Sequence, residues 1–178
     1  MSVSSLVVEA PQAVLTSSID QGAPPGYVVV QMGGPFVALN GPLWVAELGD
    51  SKRVGLRVQR KHCNVMGFCQ GGMLATFADM MMPVSMYGRP EFVSRPSFLP
   101  TVSLQIDYIA PVFLNDWLEG ATEIIKITRS LVFAQGVVRV DGKPVLRCSG
   151  IYSVGPPIPP GSIGMYTDEM PDIAPVRS

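Results

Sequence analysis

The chain has 178 residues, of which 47% are hydrophobic and only 15% charged, a balance that suits one globular domain and excludes long disorder. Thirteen Lys and Arg against fourteen Asp and Glu leave a net charge of -1, and no basic block is present, which argues against nucleic-acid binding. So few charges also give a lone subunit little polar surface to show to water, a first sign of self-association. Three cysteines, Cys63, Cys69 and Cys148, do not form a secreted disulfide framework. No signal peptide and no apolar run of membrane-spanning length is read. A cytoplasmic protein is the expectation.

Residues 1–35 are broken by Pro11, Pro24, Pro25 and Pro35 and read as an N-terminal arm, either a short helix or an extended segment. Phe36 to Leu48 reads as a strand pair or one long bent strand, interrupted at Asn40-Gly41-Pro42. A short strand is expected over Val54–Val58, then a loop over 59–70. Met73 to Tyr87 carries one charged residue, Asp79, and places Leu74, Phe77, Ala78, Met81 and Met82 at helical spacing. Apolar nearly all round, it predicts a buried helix.

Strict alternation from Thr101 to Ala110 predicts a strand, followed by strands over Leu118–Ile127, Leu131–Val140 and Val145–Val154. Arg129-Ser130 and Asp141-Gly142 read as tight turns between them. Beyond residue 155 lie six of the seventeen prolines, so 155–178 is a Pro/Gly-rich tail without helix or sheet interior. One apolar helix with a sheet that must curl around it is an α+β layout.

Asp79 is the strongest anomaly. A buried carboxylate is costly unless paired, hydrogen-bonded or protonated. Its helical face is shared with Gly72, Ala75, Thr76, Pro83 and Met86, mostly small residues. Gly71-Gly72 opens the helix, where free N–H groups favour developing negative charge, although for a lone Gly-Gly a simple steric need at a loop–helix junction is the default reading. Asn64 and Gln70 are loop amides able to donate to a carbonyl or orient water. His62, beside Arg60 and Lys61, reads as exposed. A metal site from His62, Cys63, Cys69 and Cys148 lacks the spacing of a zinc motif. Asp107, Glu119 and Glu123 fall on polar strand faces. Arg129 and Ser130 could meet a ligand phosphate or merely cap their turn.

His62-Cys-Asn64-Val-Met-Gly67-Phe-Cys-Gln70-Gly71-Gly72, followed by Asp79, resembles the motif of the PaaI-like hotdog-fold acyl-CoA thioesterases. Their pattern is Asn-x-x-Gly-x-x-His-Gly-Gly, with an Asp eight residues after the first paired glycine. Thr101-Val-Ser-Leu-Gln-Ile-Asp-Tyr-Ile-Ala-Pro resembles the strand after the central helix. The resemblance covers residues 36–154 and departs at Gln70, where the family has His. It implies an antiparallel sheet wrapped around the central helix, in a homodimer or dimer of dimers with the active site at the subunit interface. It also implies hydrolysis of an acyl-CoA thioester. Asp79 would be the general base or nucleophile and the Gly71 N–H the oxyanion donor. Asn64 and Thr101 would help place water or the carbonyl, and Gln70 would replace the His as donor without its charge. Gly72, Met73, Arg129 and Ser130 would contact substrate. No metal or cofactor is implied beyond the CoA of the substrate, and no nucleic acid or membrane partner. A non-catalytic acyl-CoA-binding or assembly module is the alternative; a hydratase ranks last, because His62 is poorly placed for the Asp/His pair which that chemistry commonly uses.

Overall fold

The structure, a computed structural model, describes residues 22–30, 34–87, 89–93 and 97–157. Most of the expected N-terminal arm (1–35) and of the C-terminal tail (155–178) lies outside these residues. In chain order the elements are β1 (Val28–Val29), α1 (Gly34–Asn40), β2 (Trp44–Leu48), β3 (Ser51–Arg57), a 3-10 turn (Arg60–His62), α2 (Gly71–Met86), α3 (Pro90–Val93), β4 (Thr101–Tyr108), β5 (Trp117–Ile127), β6 (Leu131–Val140) and β7 (Lys143–Ser153). The strands form one antiparallel sheet in the order β1-β2-β3-β5-β6-β7-β4. It wraps α2, which packs on β3, β5, β6, β7 and β4. This is the expected α+β hotdog arrangement.

The long strands form where period-two alternation is strict. In β6, Val132, Ala134 and Val138 point inward and are buried, while Phe133 and Gln135 point out. Asp141 and Gly142 both take positive φ, 48° and 75°, as a two-residue hairpin turn of this hand requires. From α2, Leu74, Phe77, Ala78, Met81, Met82 and Met86 fill the sheet's hollow. Gly120 lets Met81 in: a Cβ there would lie 2.4 Å from its sulfur.

The far end of α2 is pinned by polar bonds. Buried Ser85 donates to the Lys52 carbonyl at 2.6 Å and accepts the Thr122 N–H at 2.9 Å, so its hydroxyl is satisfied inside the core. On the sheet's outer face, Tyr27 donates to Glu119 at 2.7 Å and stacks edge-on against Trp117.

Three expectations are corrected. Gly34–Asn40 is a helix, not the first half of a strand pair. Pro35 sits at its second residue, where a missing N–H costs nothing, and the Lys61 ammonium caps its end through the Leu39 and Gly41 carbonyls at 2.7 and 2.9 Å. The 59–70 segment holds a 3-10 turn and a short ladder rather than plain loop. Finally, α2 is not buried all round. Gly72 and Asp79 are exposed and Ala75, Thr76 and Pro83 half-exposed, whereas Met86 is buried.

Candidate active site

The open stripe of α2 faces the side on which β4 is the sheet edge. There Thr101, the first residue of β4, donates its hydroxyl to Asp79 Oδ1 at 2.7 Å. At the other end of the same strand, the Tyr108 hydroxyl donates to the Gly71 carbonyl at 3.0 Å. The helix therefore runs antiparallel to β4, with Asp79 held at one end of the strand and Gly71 at the other. Asp79 is exposed within the chain, so the cost of a buried carboxylate does not arise, and the bond from Thr101 engages Oδ1 while leaving Oδ2 for chemistry.

Gln70 caps the helix with its backbone only; its carbonyl receives the Met73 and Leu74 N–H groups at 2.8 and 3.0 Å, and its exposed side chain makes no cap. The first N–H groups of a helix have no carbonyl one turn back, which leaves those of Gly71 and Gly72 for another partner. The steric reading of the glycine pair finds no support in the chain itself. A Cβ on Gly72 would meet nothing within 4 Å, and one on Gly71 would make ordinary contact with the Tyr108 ring at 3.7 Å. Met73, the next residue, is buried on the core side.

Asn64 builds the preceding loop. Its Oδ1 accepts the Met66 and Phe68 N–H groups at 2.9 and 3.2 Å, an Asx-type turn that leaves the Nδ2 group for a ligand. Phe68 ties this loop to Phe113 through a bridge and ring contact. Arg129 and Ser130 are exposed in a turn closed by Thr128 and Leu131. The register Leu131↔Ser153 and Thr101↔Tyr152 puts that turn at the Asp79 end of the sheet, two strand spacings from β4, about 10 Å.

His62 is buried, not exposed. Its ring folds under its own turn, and Nδ1 accepts the Gln59 N–H at 3.0 Å. Burial, with Lys61 adjacent, pushes its pKa down to about 4. Cys148 lies on β7 with Gly136 O as acceptor, away from Cys63 and Cys69, and among the described residues no three His, Cys, Asp or Glu converge to hold a metal ion. Asp107, Glu119 and Glu123 are engaged by Arg147, Tyr27 and Gln135 on the outer face, not with Asp79. Sequence reasoning missed Tyr108 as a site residue; its signal was an aromatic at the end of the motif-bearing strand.

The thioesterase superfamily model matches residues 66–146. A Pseudomonas aeruginosa protein, PA0474, named provisionally as an esterase, is 30% identical over 132 residues, 72% of this chain and 95% of that protein. The chain belongs to the thioesterase superfamily. The phenylacetic acid degradation protein PaaI of Thermus thermophilus, solved as a point mutant, shares the fold with a TM-score of 0.57 and 22% identity, over 67% of this chain and 97% of that one. A Streptococcus pneumoniae hypothetical thioesterase protein, solved with coenzyme A, has a TM-score of 0.56 at 17% identity, over 72% of this chain and 98% of that one. The family is one of hydrolases, and the two solved structures share this chain's hotdog fold. Among the described residues no helix is long and apolar enough to cross a membrane.

Proposed function

We propose that the protein hydrolyses an acyl-CoA thioester at a site shared by two copies of the chain. The observation that carries this reading is the separation of the two reactive ends of α2. Asp79 lies eight residues beyond Gly71, about 12 Å along the helix, too far for both to act on one carbonyl from a single chain. The edge strand supplies the remedy. β4 is eight residues long, contains no Pro or Lys, carries exposed Val102 and Tyr108, and is flanked by exposed Phe98 and Ile109. Such an edge pairs with another strand. If two β4 edges pair antiparallel about a two-fold axis, the Thr101–Asp79 end of one chain meets the Tyr108–Gly71 end of the other.

At that meeting point the roles follow from the chemistry. Asp79, oriented by Thr101, takes a proton from water as general base or attacks as nucleophile. The Gly71 N–H of the second copy receives the oxyanion as the carbonyl gains charge, and Gly72 gives it close access. Asn64 Nδ2 and the Gln70 amide are neutral donors nearby. A thioester needs no more activation than this, so no metal or cofactor enters. The coenzyme A bound to the Streptococcus pneumoniae protein supports a CoA ester, and Arg129 with Ser130 would meet its phosphates.

Gln70 favours a second reading, a module that binds acyl-CoA without cleaving it. Thiol release across a panel of aliphatic and aryl acyl-CoAs separates the two. Release that disappears in Asp79→Ala supports hydrolysis. Thermal stabilisation by acyl-CoA with no thiol released supports the binding module.

A further inference from the structure

Cys63 and Cys69 stand opposite one another across the short ladder that closes the 64–68 loop. The hydrogen bonds show which kind of pair this is. The Gln70 N–H donates to His62 O and the Asn64 N–H to Phe68 O, both at 2.8 Å, so the bonds flank the two cysteines instead of joining them. Residues opposed in this non-hydrogen-bonded way have α-carbons about 4.5 Å apart and both side chains on one face. Disulfides span α-carbon separations of about 4.4–6.8 Å. Both thiols are free, Cys69 buried and Cys63 half-buried against the same core. In the thiol form Cys63 Sγ donates to the Gln59 carbonyl at 3.5 Å and Cys69 Sγ to the Gln70 carbonyl at 4.0 Å, so closure turns both side chains from these carbonyls toward each other.

We propose that Cys63 and Cys69 are an oxidation site, closed to an intrachain disulfide by a low-molecular-weight disulfide, and that the crosslink staples the loop which holds Asn64 and leads into Gln70 and Gly71. The half-exposed Cys63 loses its proton and attacks one sulfur of the external disulfide. That S–S bond breaks and the first small thiolate leaves. Cys69, deprotonated in turn, attacks the Cys63 sulfur of the mixed disulfide and expels the second small thiolate. Two protein thiols are oxidised, one external disulfide is reduced to two thiols, and the two protons pass to the leaving groups. Burial raises both protein thiols, Cys69 to about 12. Thiolate is therefore scarce at neutral pH, and closure is slow there and faster in mild alkali.

The test incubates the native full chain with oxidised glutathione in mild alkali, quenches with acid, counts thiols and maps peptides. The expected result is the loss of two of the three thiols, one Cys63–Cys69 linked peptide, a free Cys148, and full reversal by dithiothreitol. Closing so short a loop should raise Tm by roughly 5 °C. Cys148→Ser should behave identically, and Cys69→Ser should stop at a glutathione adduct on Cys63. Three persistent thiols, or a link through Cys148 or to a second chain, would overturn the site. A Tm unchanged or lowered by closure would overturn the staple. None of these readouts uses hydrolysis, so the outcome is independent of the proposed activity.

Discussion

Glycines on the inner face of the sheet and glycines at the start of α2 occupy two regions with opposite demands. On the sheet, a Cβ at Gly120 would strike Met81 at 2.4 Å and lie 3.1 Å from the Val137 carbonyl, and one at Gly136 would lie 3.0 Å from the Ala121 carbonyl. The fold itself requires those glycines, because the central helix sits too close for any side chain. At the helix start, Gly72 has open space and Gly71 only ordinary contact. The first region is filled by the chain's own packing, whereas the second is left open to solvent within the chain, as the proposed site requires.

Substitutions at the open face of α2 should act on the chemistry and spare the fold. Asp79→Asn keeps the side-chain shape and the Thr101 hydrogen bond but removes the base, and should lower kcat about a thousandfold with Tm unchanged. Gly71→Pro should cost about a hundredfold in kcat, since it deletes one oxyanion donor. It is a fair test because proline suits the first helical position and Gln70, at φ -61° and ψ 135°, already has the extended backbone that a following proline demands. Co-expressing the two inactive variants should restore about a quarter of wild-type activity, because half of the dimers are mixed and each carries one intact site. No recovery would show that both groups act from one chain.

Gly120→Ala should do the reverse. Met81 can shift, but the Val137 carbonyl cannot, so the variant should lose about 1–3 kcal/mol of stability in urea unfolding while the folded fraction keeps wild-type kcat. A Gly72→Ala variant as unstable as Gly120→Ala would erase the distinction. Thr101→Val removes the hydrogen bond that orients Asp79 and should reduce kcat about tenfold, with Tm little changed because both groups are exposed.

What could be read before the structure follows the range of the interactions involved. β4 to β7 were legible because each alternates within itself, and α2 because Leu74, Phe77, Ala78, Met81 and Met82 share one face. The motif residues Asn64, Gly71, Gly72 and Asp79 were legible as a spaced set, and the resemblance they carry already implied an active site between two subunits. The α1 helix was hidden because its C-terminal cap comes from Lys61, twenty residues and more away. The placement of β4 beside β7 rather than β5 is a tertiary choice that no local period encodes, and it is what leaves Asp79 at an open edge.

His62 shows the same limit at a single residue, and its effect is the smallest at neutral pH. Within Arg60-Lys61-His62 it looks solvated, yet its ring is buried and its Nδ1 accepts a backbone N–H. Its folded pKa of about 4 lies below the unfolded value of about 6.5. The unfolded chain therefore binds the proton more readily, so the stability held by the neutral ring is fully present above pH about 6.5 and is lost as pH falls toward 4. His62→Asn places an amide oxygen where Nδ1 accepts but cannot titrate. Relative to this variant, the wild-type Tm should fall by several degrees more between pH about 6.5 and 4, with the two proteins close at neutral pH. Parallel Tm profiles would mean that His62 is protonated in place without cost, and that the loop beneath Asn64 does not depend on a neutral ring.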